Sequence, residues 1–250
     1  MRGLLIGNPV SKSISHITHP VIFQRHGVAA TYEKRVVESS REIAEVKKER
    51  FAWIAVTMPH KETVLPFIDH FDAHAKLIKA VNMIHVVDGG WVGYNNDGIG
   101  ALNAIEKKGL VEGKRLLILG AGGTARAIGY EARRRGAKVA LFNRTQEKGE
   151  ELARDLDVEC IQTLPSPYDI LVNATSVGMP IDPEYVVTGA VVFDVNYSPR
   201  NTPLLLEGVN RGCNVVYGIE MFMELTFHQL QIVFGPTIRK EIVEDVIFSV

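Results

Sequence analysis

Leu116–Thr145, LLILGAGGTARAIGYEARRRGAKVALFNRT, decides the fold. An apolar run, Leu116–Leu119, stops at Gly120-Ala121-Gly122-Gly123-Thr124-Ala125, a G-x-G-x-x-A turn that opens into a helix. Gly120 permits the tight turn, Gly122 lets the backbone approach a pyrophosphate, and Ala125 keeps the new helix close to its strand. The helix N-terminus offers unpaired N–H groups to the anion. A second apolar run, Lys138–Phe142, ends in Asn143-Arg144-Thr145. A site for NAD usually carries an acidic residue here to bind the ribose 2′-hydroxyl, whereas Arg144 suits the additional 2′-phosphate of NADP. A glycine turn alone is a weak signal; set between a strand and a helix, with an arginine ending the next strand, it is much stronger.

Four further strands are predicted at Val158–Ile161, Asp169–Asn173, Val191–Val195 and Asn214–Val216. Six strands with intervening helices fit a doubly wound parallel sheet, in which ligands bind at the carboxyl ends. Residues 101–217 are therefore expected to form a Rossmann-type NADP domain. Upstream, the pattern predicts strands at Gly3–Ile6, Thr31–Val37 and Phe51–Val56, and helices at Ser15–His26, Arg41–Arg50 and His60–His70. Met83–Val87 and Trp91–Tyr94 read as a hairpin around Asp88-Gly89-Gly90, and Asp97–Lys108 as the helix entering the cofactor domain. Gly218–Val250 is helical with no strand after it and is expected to pack back on the N-terminal region. The chain thus reads as α/β, with a discontinuous α/β substrate domain (1–100 and 218–250) beside the Rossmann domain. An active site is expected in the cleft between them.

Composition narrows the function classes. The 250 residues are 46% hydrophobic and 23% charged, which fits a globular chain with a sizeable core. A formal net charge of −1 gives no broad attraction for nucleic acid or anionic membrane. Arg133-Arg134-Arg135 precedes Gly136 at a predicted helix end, where cations complement the dipole. The two cysteines, Cys160 and Cys213, suggest neither a disulfide framework nor a zinc site. No signal peptide or membrane-spanning run is read, so a cytoplasmic protein is expected. Of the eight histidines, His16 with His19 and His70 with His74 fall at helical spacing, but nothing completes a ligand set, and no metal is expected.

An NADP domain that serves an alcohol–ketone pair needs a neighbour that moves a proton at the substrate oxygen. Lys61, in Val56-Thr57-Met58-Pro59-His60-Lys61, stands at the exit of a buried strand. Asp97, in Gly93-Tyr94-Asn95-Asn96-Asp97-Gly98, stands at a helix start. A lysine beside a carboxylate can shuttle a proton while the pair stays near neutral. Taken alone, Asp97 also fits a helix N-cap and Lys61 a solvated first-turn lysine.

The ordered series Gly7-Asn8-Pro9-Val10-Ser11-Lys12-Ser13-Ile14-Ser15, VTMPHK, Ala80-Val81-Asn82, GYNNDG, GAGGTARA, NRT, NATSVGM and Asp194-Val195-Asn196-Tyr197-Ser198-Pro199, with Thr202-Pro203-Leu204-Leu205, closely resembles the shikimate dehydrogenase family over nearly the whole chain. The resemblance implies NADPH-dependent reduction of 3-dehydroshikimate to shikimate, in chorismate and aromatic amino-acid biosynthesis. It implies that Ser13 and Ser15 bind the substrate carboxylate and that Thr57, Asn82 and Asp97 contact ring hydroxyls. Lys61 is then the acid–base group, with Asp97 as its partner, and Tyr197 reaches the carboxylate from the cofactor side. For the cofactor it implies Gly120 and Ala121, Gly122, Gly123 and Thr124 at the pyrophosphate. Asn143, Arg144, Thr145 and Lys148 surround the 2′-phosphate, Thr175 and Ser176 lie near the nicotinamide half, and Val195, Gly218 and Met221 line the nicotinamide pocket.

The chain departs from the family pattern at five positions. Lys12 replaces a His, His16 a Pro, Ala55 an Asn or Ser, Asn96 a Thr and Leu225 a substrate-binding Gln. Gln229, one helical turn after Leu225, can reach the same face. Loss of one hydrogen bond to a neutral hydroxyl costs about 0.5–1.5 kcal/mol, so Leu225 implies a weaker or altered substrate preference rather than inactivity. Two alternatives stay open: a quinate/shikimate dehydrogenase of broader specificity, and a non-catalytic regulator that binds shikimate or NADP. The expected partners are a small-molecule substrate and at most a second copy of the chain, as monomer or homodimer.

Overall fold

A computed structural model describes residues 1–164 and 167–250. Its contacts divide the chain into two units, Met1–Asn96 with Thr226–Val250, and Asp97–Leu225. The spacing places Asp97–Gly100 and Gly218–Leu225 with the N-terminal region, but they pack with the second unit.

The first unit is built on β1 (Arg2–Gly7), α1 (Ser15–Arg25), β2 (Thr31–Val36), α2 (Ser40–Lys48), β3 (Trp53–Val56), α3 (His60–Thr63), β4 (His70–Phe71), α4 (Ala73–Ile78), β5 (Met83–Val87) and β6 (Gly90–Tyr94). The sheet order is β2-β1-β3-β5-β6-β4. β1 pairs in parallel with β2 and β3, and the β5–β6 hairpin adds antiparallel pairs. The hairpin turn uses Asp88 and Gly89 at φ 50° and 82°, the positive-φ pair that matches strand twist. Residues 60–70 do not form the single helix that their pattern predicts. α3 stops at Thr63, Leu65–Phe67 tightens into a 3-10 turn around Pro66, and the chain then enters β4. Proline has no N–H to continue the ladder. The Asp72 carboxylate then caps α4 by accepting from the Ala75 N–H at 2.7 Å.

The C-terminal part of this unit packs through aromatic contacts. Phe234 meets Phe23 at 5.6 Å and Trp53 at 5.3 Å. Arg25 pairs with Asp245, and the Arg239 N–H donates to His26 Nε2 at 2.9 Å. Trp53, Trp91, Phe23 and Ile54 are among the largest fully buried side chains.

His19 lies wholly inside this core, stacked on Tyr32 at 4.3 Å and edge-on to Phe23 at 5.9 Å. Burial lowers its pKa from the ordinary 6.5 to about 3. The folded value lies below the unfolded one, so the contribution is complete above pH 6.5 and is lost as the pH falls toward 3. Between about pH 7 and about pH 4.5 this residue should withdraw about 2–3 kcal/mol of stability. A His19→Leu chain should lose that slope in urea unfolding measured across the same interval. An unchanged slope would show that the acid sensitivity arises elsewhere.

The second unit comprises α5 (Asp97–Glu106), β7 (Arg115–Leu119), α6 (Gly123–Arg134), β8 (Lys138–Phe142), α7 (Gln146–Leu156), β9 (Glu159–Cys160), β10 (Ile170–Asn173), β11 (Val191–Asp194), α8 (Pro203–Asn210), β12 (Asn214–Val216) and the first part of α9 (Gly218–Phe234). The remainder of α9 and α10 (Lys240–Phe248) belong to the first unit. The sheet order is β12-β11-β10-β7-β8-β9, and every pair is parallel. This is the expected six-stranded doubly wound sheet. Its order reverses between β7 and β10, the position where such sheets open for a ligand. Both faces of β7 are buried, which is why Leu116–Leu119 reads as a continuous apolar run.

Candidate active site

In the second unit, the β7–α6 turn lies at the switch point. Gly120 has φ 117°, a value that disfavours any side chain, and a Cβ there would come within 3.1 Å of Thr175 on the loop after β10. Gly122 is different. Its φ of −93° suits any residue, and, its chain neighbours aside, no atom of the described residues lies within 4 Å of where its Cβ would stand. Neither backbone nor packing requires glycine there, and the space at the α6 N-terminus stays open to a ligand. A pyrophosphate on the N–H groups of Gly122, Gly123 and Thr124 fits that space. Ala121 is half-buried beside the core, and Ala125 is fully buried where α6 crosses the sheet.

At the end of β8, the Asn143 amide donates to the Thr145 carbonyl at 2.7 Å and folds the loop back on itself. Thr145 is the N-cap of α7 but makes no side-chain capping bond. Arg144 and Lys148 are both exposed, and neither joins an ion pair among the described residues. Two exposed cations and a hydroxyl at a helix start suit a doubly charged phosphate, although Glu147 lies in the same turn.

Thr175 and Ser176 follow β10, and Val195 and Tyr197 follow β11. One buried carboxylate organises both loops. Asp194 accepts from Thr202 Oγ1 at 2.7 Å, Asn173 Nδ2 at 3.0 Å, Asn196 Nδ2 at 2.7 Å and the Asn196 N–H at 2.9 Å. Asn173 in turn accepts from the Thr175 hydroxyl at 2.7 Å, and Asn196 donates to the Thr175 carbonyl at 2.8 Å. Burial pushes the Asp194 carboxyl above its ordinary range, against the pull of these four donors. Sequence reasoning assigns Asp194 and Asn173 no role. The available signal is that each ends an apolar strand and that the two sit opposite each other in the β10–β11 register. Gly218 opens α9, Met221 is buried one turn later, and Tyr197 packs on Phe222 with centroids 5.3 Å apart.

Asp97 is buried as the first residue of α5, and its Oδ2 accepts from the Thr124 hydroxyl at 3.3 Å. The candidate catalytic carboxylate is therefore tied directly to the cofactor turn. Leu225 is half-buried against the core of this unit, where its Cβ lies near Gly100 of α5.

In the first unit, Ser13 and Ser15 meet with their hydroxyl oxygens 2.8 Å apart. Ser15 is not the cap of α1: the N-cap is Ile14, which makes no side-chain capping bond. Thr57 follows β3, and its N–H donates to the Ile6 carbonyl at 2.9 Å. Lys61 is half-buried in α3, where its carbonyl accepts from the Val81 N–H at 2.7 Å. That bond ties the lysine to the Ala80-Val81-Asn82 segment. Asn82 is buried, and its Oδ1 accepts from the Asn96 N–H at 3.0 Å. His60, next to Lys61, is buried and bonded through Nε2 to the Val37 carbonyl at 2.6 Å. It anchors α3 to the residue that follows β2. Gln229 is buried in α9. No group of three or more His, Cys, Asp or Glu that could hold a metal ion is found among the described residues.

Residues 5–84 match the family model for the shikimate dehydrogenase substrate binding domain, and residues 103–202 match that for shikimate/quinate 5-dehydrogenase. A shikimate dehydrogenase (NADP(+)) of Geobacillus kaustophilus is 39% identical over 240 residues, covering 88% of this chain and 87% of the relative. The chain belongs to the shikimate dehydrogenase family. Among solved shikimate dehydrogenases, that of Thermus thermophilus in complex with NADP(H) and shikimate superposes with a TM-score of 0.90 at 27% identity, covering 100% of this chain and 99% of that one. The ligand-free 5-ketofructose reductase of a Gluconobacter strain superposes with a TM-score of 0.87, also at 27% identity, over 100% of this chain and 98% of that one. No helix among the described residues is long and apolar enough to cross a membrane.

Proposed function

We propose that this chain catalyses the reversible, NADPH-dependent reduction of 3-dehydroshikimate to shikimate. The observation that carries the cofactor half is the pairing of an open glycine cradle at Gly122 with the unpaired cations Arg144 and Lys148. The substrate half rests on Ser13, Ser15, Thr57, Lys61, Asn82 and Asp97 standing in a family whose relatives carry that activity in their names. NADPH, when bound, supplies the hydride for the ketone carbon.

The chain's own residues do the rest. Ser13 and Ser15 hydroxyls donate to the substrate carboxylate, and Tyr197 adds a third donor. Thr57, Asn82 and Gln229 orient the ring hydroxyls. The Lys61 ammonium gives its proton to the carbonyl oxygen as the hydride arrives at carbon, so the ketone becomes a neutral secondary alcohol. Asp97 holds that ammonium toward the reacting oxygen and keeps the pair near neutral. Thr175, Ser176, Val195, Gly218 and Met221 border the nicotinamide. We take the cytoplasm as the compartment, where thiols such as Cys160 and Cys213 stay free, and a monomer or homodimer as the working state.

Leu225 favours a second reading, a quinate/shikimate dehydrogenase with a more permissive ring pocket. The deciding experiment is nicotinamide reduction with shikimate and NADP⁺, repeated with quinate and with NAD⁺. Fast turnover with shikimate and NADP⁺ alone supports the main reading, and comparable turnover with quinate supports the second. Binding of NADP⁺ without turnover of either acid would point instead to a regulator.

A further inference from the structure

Edge strand β2 of the first unit carries a cation that no carboxylate answers. Strand alternation puts Glu33 and Arg35 on one face, where Arg35 pairs with Glu33 at 3.1 Å and with Glu49 at 2.5 Å. Tyr32 and Lys34 point to the other face, the one α1 covers, as the stacking of Tyr32 on His19 shows. Lys34 is half-buried there and joins no ion pair among the described residues. Its Nζ lies 3.3 Å from His16 Nε2. The ammonium has only protons to give, so in this contact the imidazole nitrogen accepts. His16 Nδ1 is buried with no hydrogen-bond partner. His16 directly follows Ser15 in the first turn of α1, a turn that holds no acidic residue. Hydroxyls, helix N–H groups and an ammonium therefore gather at one end of α1, all of them donors.

We propose that Lys34 is a further substrate-binding residue. Its ammonium meets the carboxylate that the Ser13 and Ser15 hydroxyls hold, and His16 is the positioning residue that aims it. This rests on reading the Ser13–Ser15 turn as a carboxylate site, and adds the charge which two neutral hydroxyls cannot supply. One ammonium proton goes to His16, leaving two for the anion. A half-buried cation without a counter-ion gains more from that anion than a solvated surface lysine would.

Lys34→Met keeps the apolar stem and removes the charge. With shikimate its KM is expected to rise about tenfold, with kcat and the KM for NADP⁺ unchanged. The uncharged methyl ester of shikimate, assayed beside the acid, should shift by less than about twofold. His16→Phe should raise the KM for the acid by a smaller factor, and His16→Gln, which keeps an acceptor, should restore part of it. Equal KM values for shikimate in the parent and Lys34→Met chains, or equal rises for acid and ester, would overturn the assignment. The rise in unfolding temperature given by shikimate is read in parallel, because it needs no turnover. A parent chain that does not oxidise shikimate, yet is stabilised by it only when Lys34 is present, would keep this site and sink the proposed activity. Equal protection of both chains, or protection of neither, would sink the site, while the parent's own turnover still judges the activity.

Discussion

Lys61→Ala is expected to lower turnover of shikimate at least about a hundredfold while leaving NADP⁺ binding intact. General acid–base catalysis is worth about 10²–10⁴ in rate, and alanine leaves no group at this position to exchange a proton with the substrate oxygen. The fold should survive the change, because the main chain of residue 61 is held by its own carbonyl, which accepts from the Val81 N–H at 2.7 Å. Steady-state turnover, followed by the absorbance of reduced nicotinamide, gives the rate, and quenching of protein fluorescence by NADP⁺ gives the binding. Near-parental turnover would remove Lys61 from the chemistry. Weakened NADP⁺ binding at equal turnover would place it with the cofactor instead. Asp97→Asn should follow Lys61→Ala in direction, since it removes the carboxylate charge proposed as the lysine's partner but keeps the shape beside Thr124.

Arg144→Ala is expected to raise the KM for NADP⁺ about 10- to 100-fold and to leave that for NAD⁺ within about twofold. Hydrogen bonds between a guanidinium and a phosphate are charge-assisted and bidentate, and NAD⁺ has no 2′-phosphate to lose them. The side chain is exposed and in no ion pair among the described residues, so its removal should leave the fold intact. Added salt should shrink the difference between the two chains, because the contact lies at the surface. Parallel losses for both cofactors would mean that Arg144 shapes the loop rather than reading the phosphate. In that case the Asn143–Thr145 bond, which folds the loop, becomes the feature to test.

The two halves of the candidate site differ in how far the sequence reveals them. The cofactor half is read from contiguous residues, since turn, helix start and the arginine after the next strand all follow from local spacing. The motif gives Gly120 and Gly122 different tasks, and their backbones differ accordingly: Gly120 takes the positive φ of a tight turn, while Gly122 is extended with open space beside it. The substrate half is scattered over Ser13, Thr57, Lys61, Asn82 and Gln229, and no periodicity joins them. Their grouping rests on the family resemblance, and the sheet order and hydrogen bonds then give each a place within its unit. The helix expected over residues 60–70 does not form because Pro66 interrupts it: apolar spacing over these positions reads as helix, but α3 ends at Thr63 and the chain turns tightly around the proline.

By itself the sequence determined the six-strand alternation of the second unit, the glycine turn after its first strand and the arginine after its second. Each of these is a property of residues within one turn or one strand of each other. Only the tertiary structure decided that Asp194 gathers four donors from β10 and the segment between β11 and α8, and that Asp97 bonds to Thr124 across 27 positions. It alone decided that Lys34 faces His16 rather than the acids beside it. Such pairings are set by strand register and by which face of a strand a helix covers. Both are fixed when apolar surface is buried across the whole unit, and the residues that meet as a result carry no mark of one another in the chain.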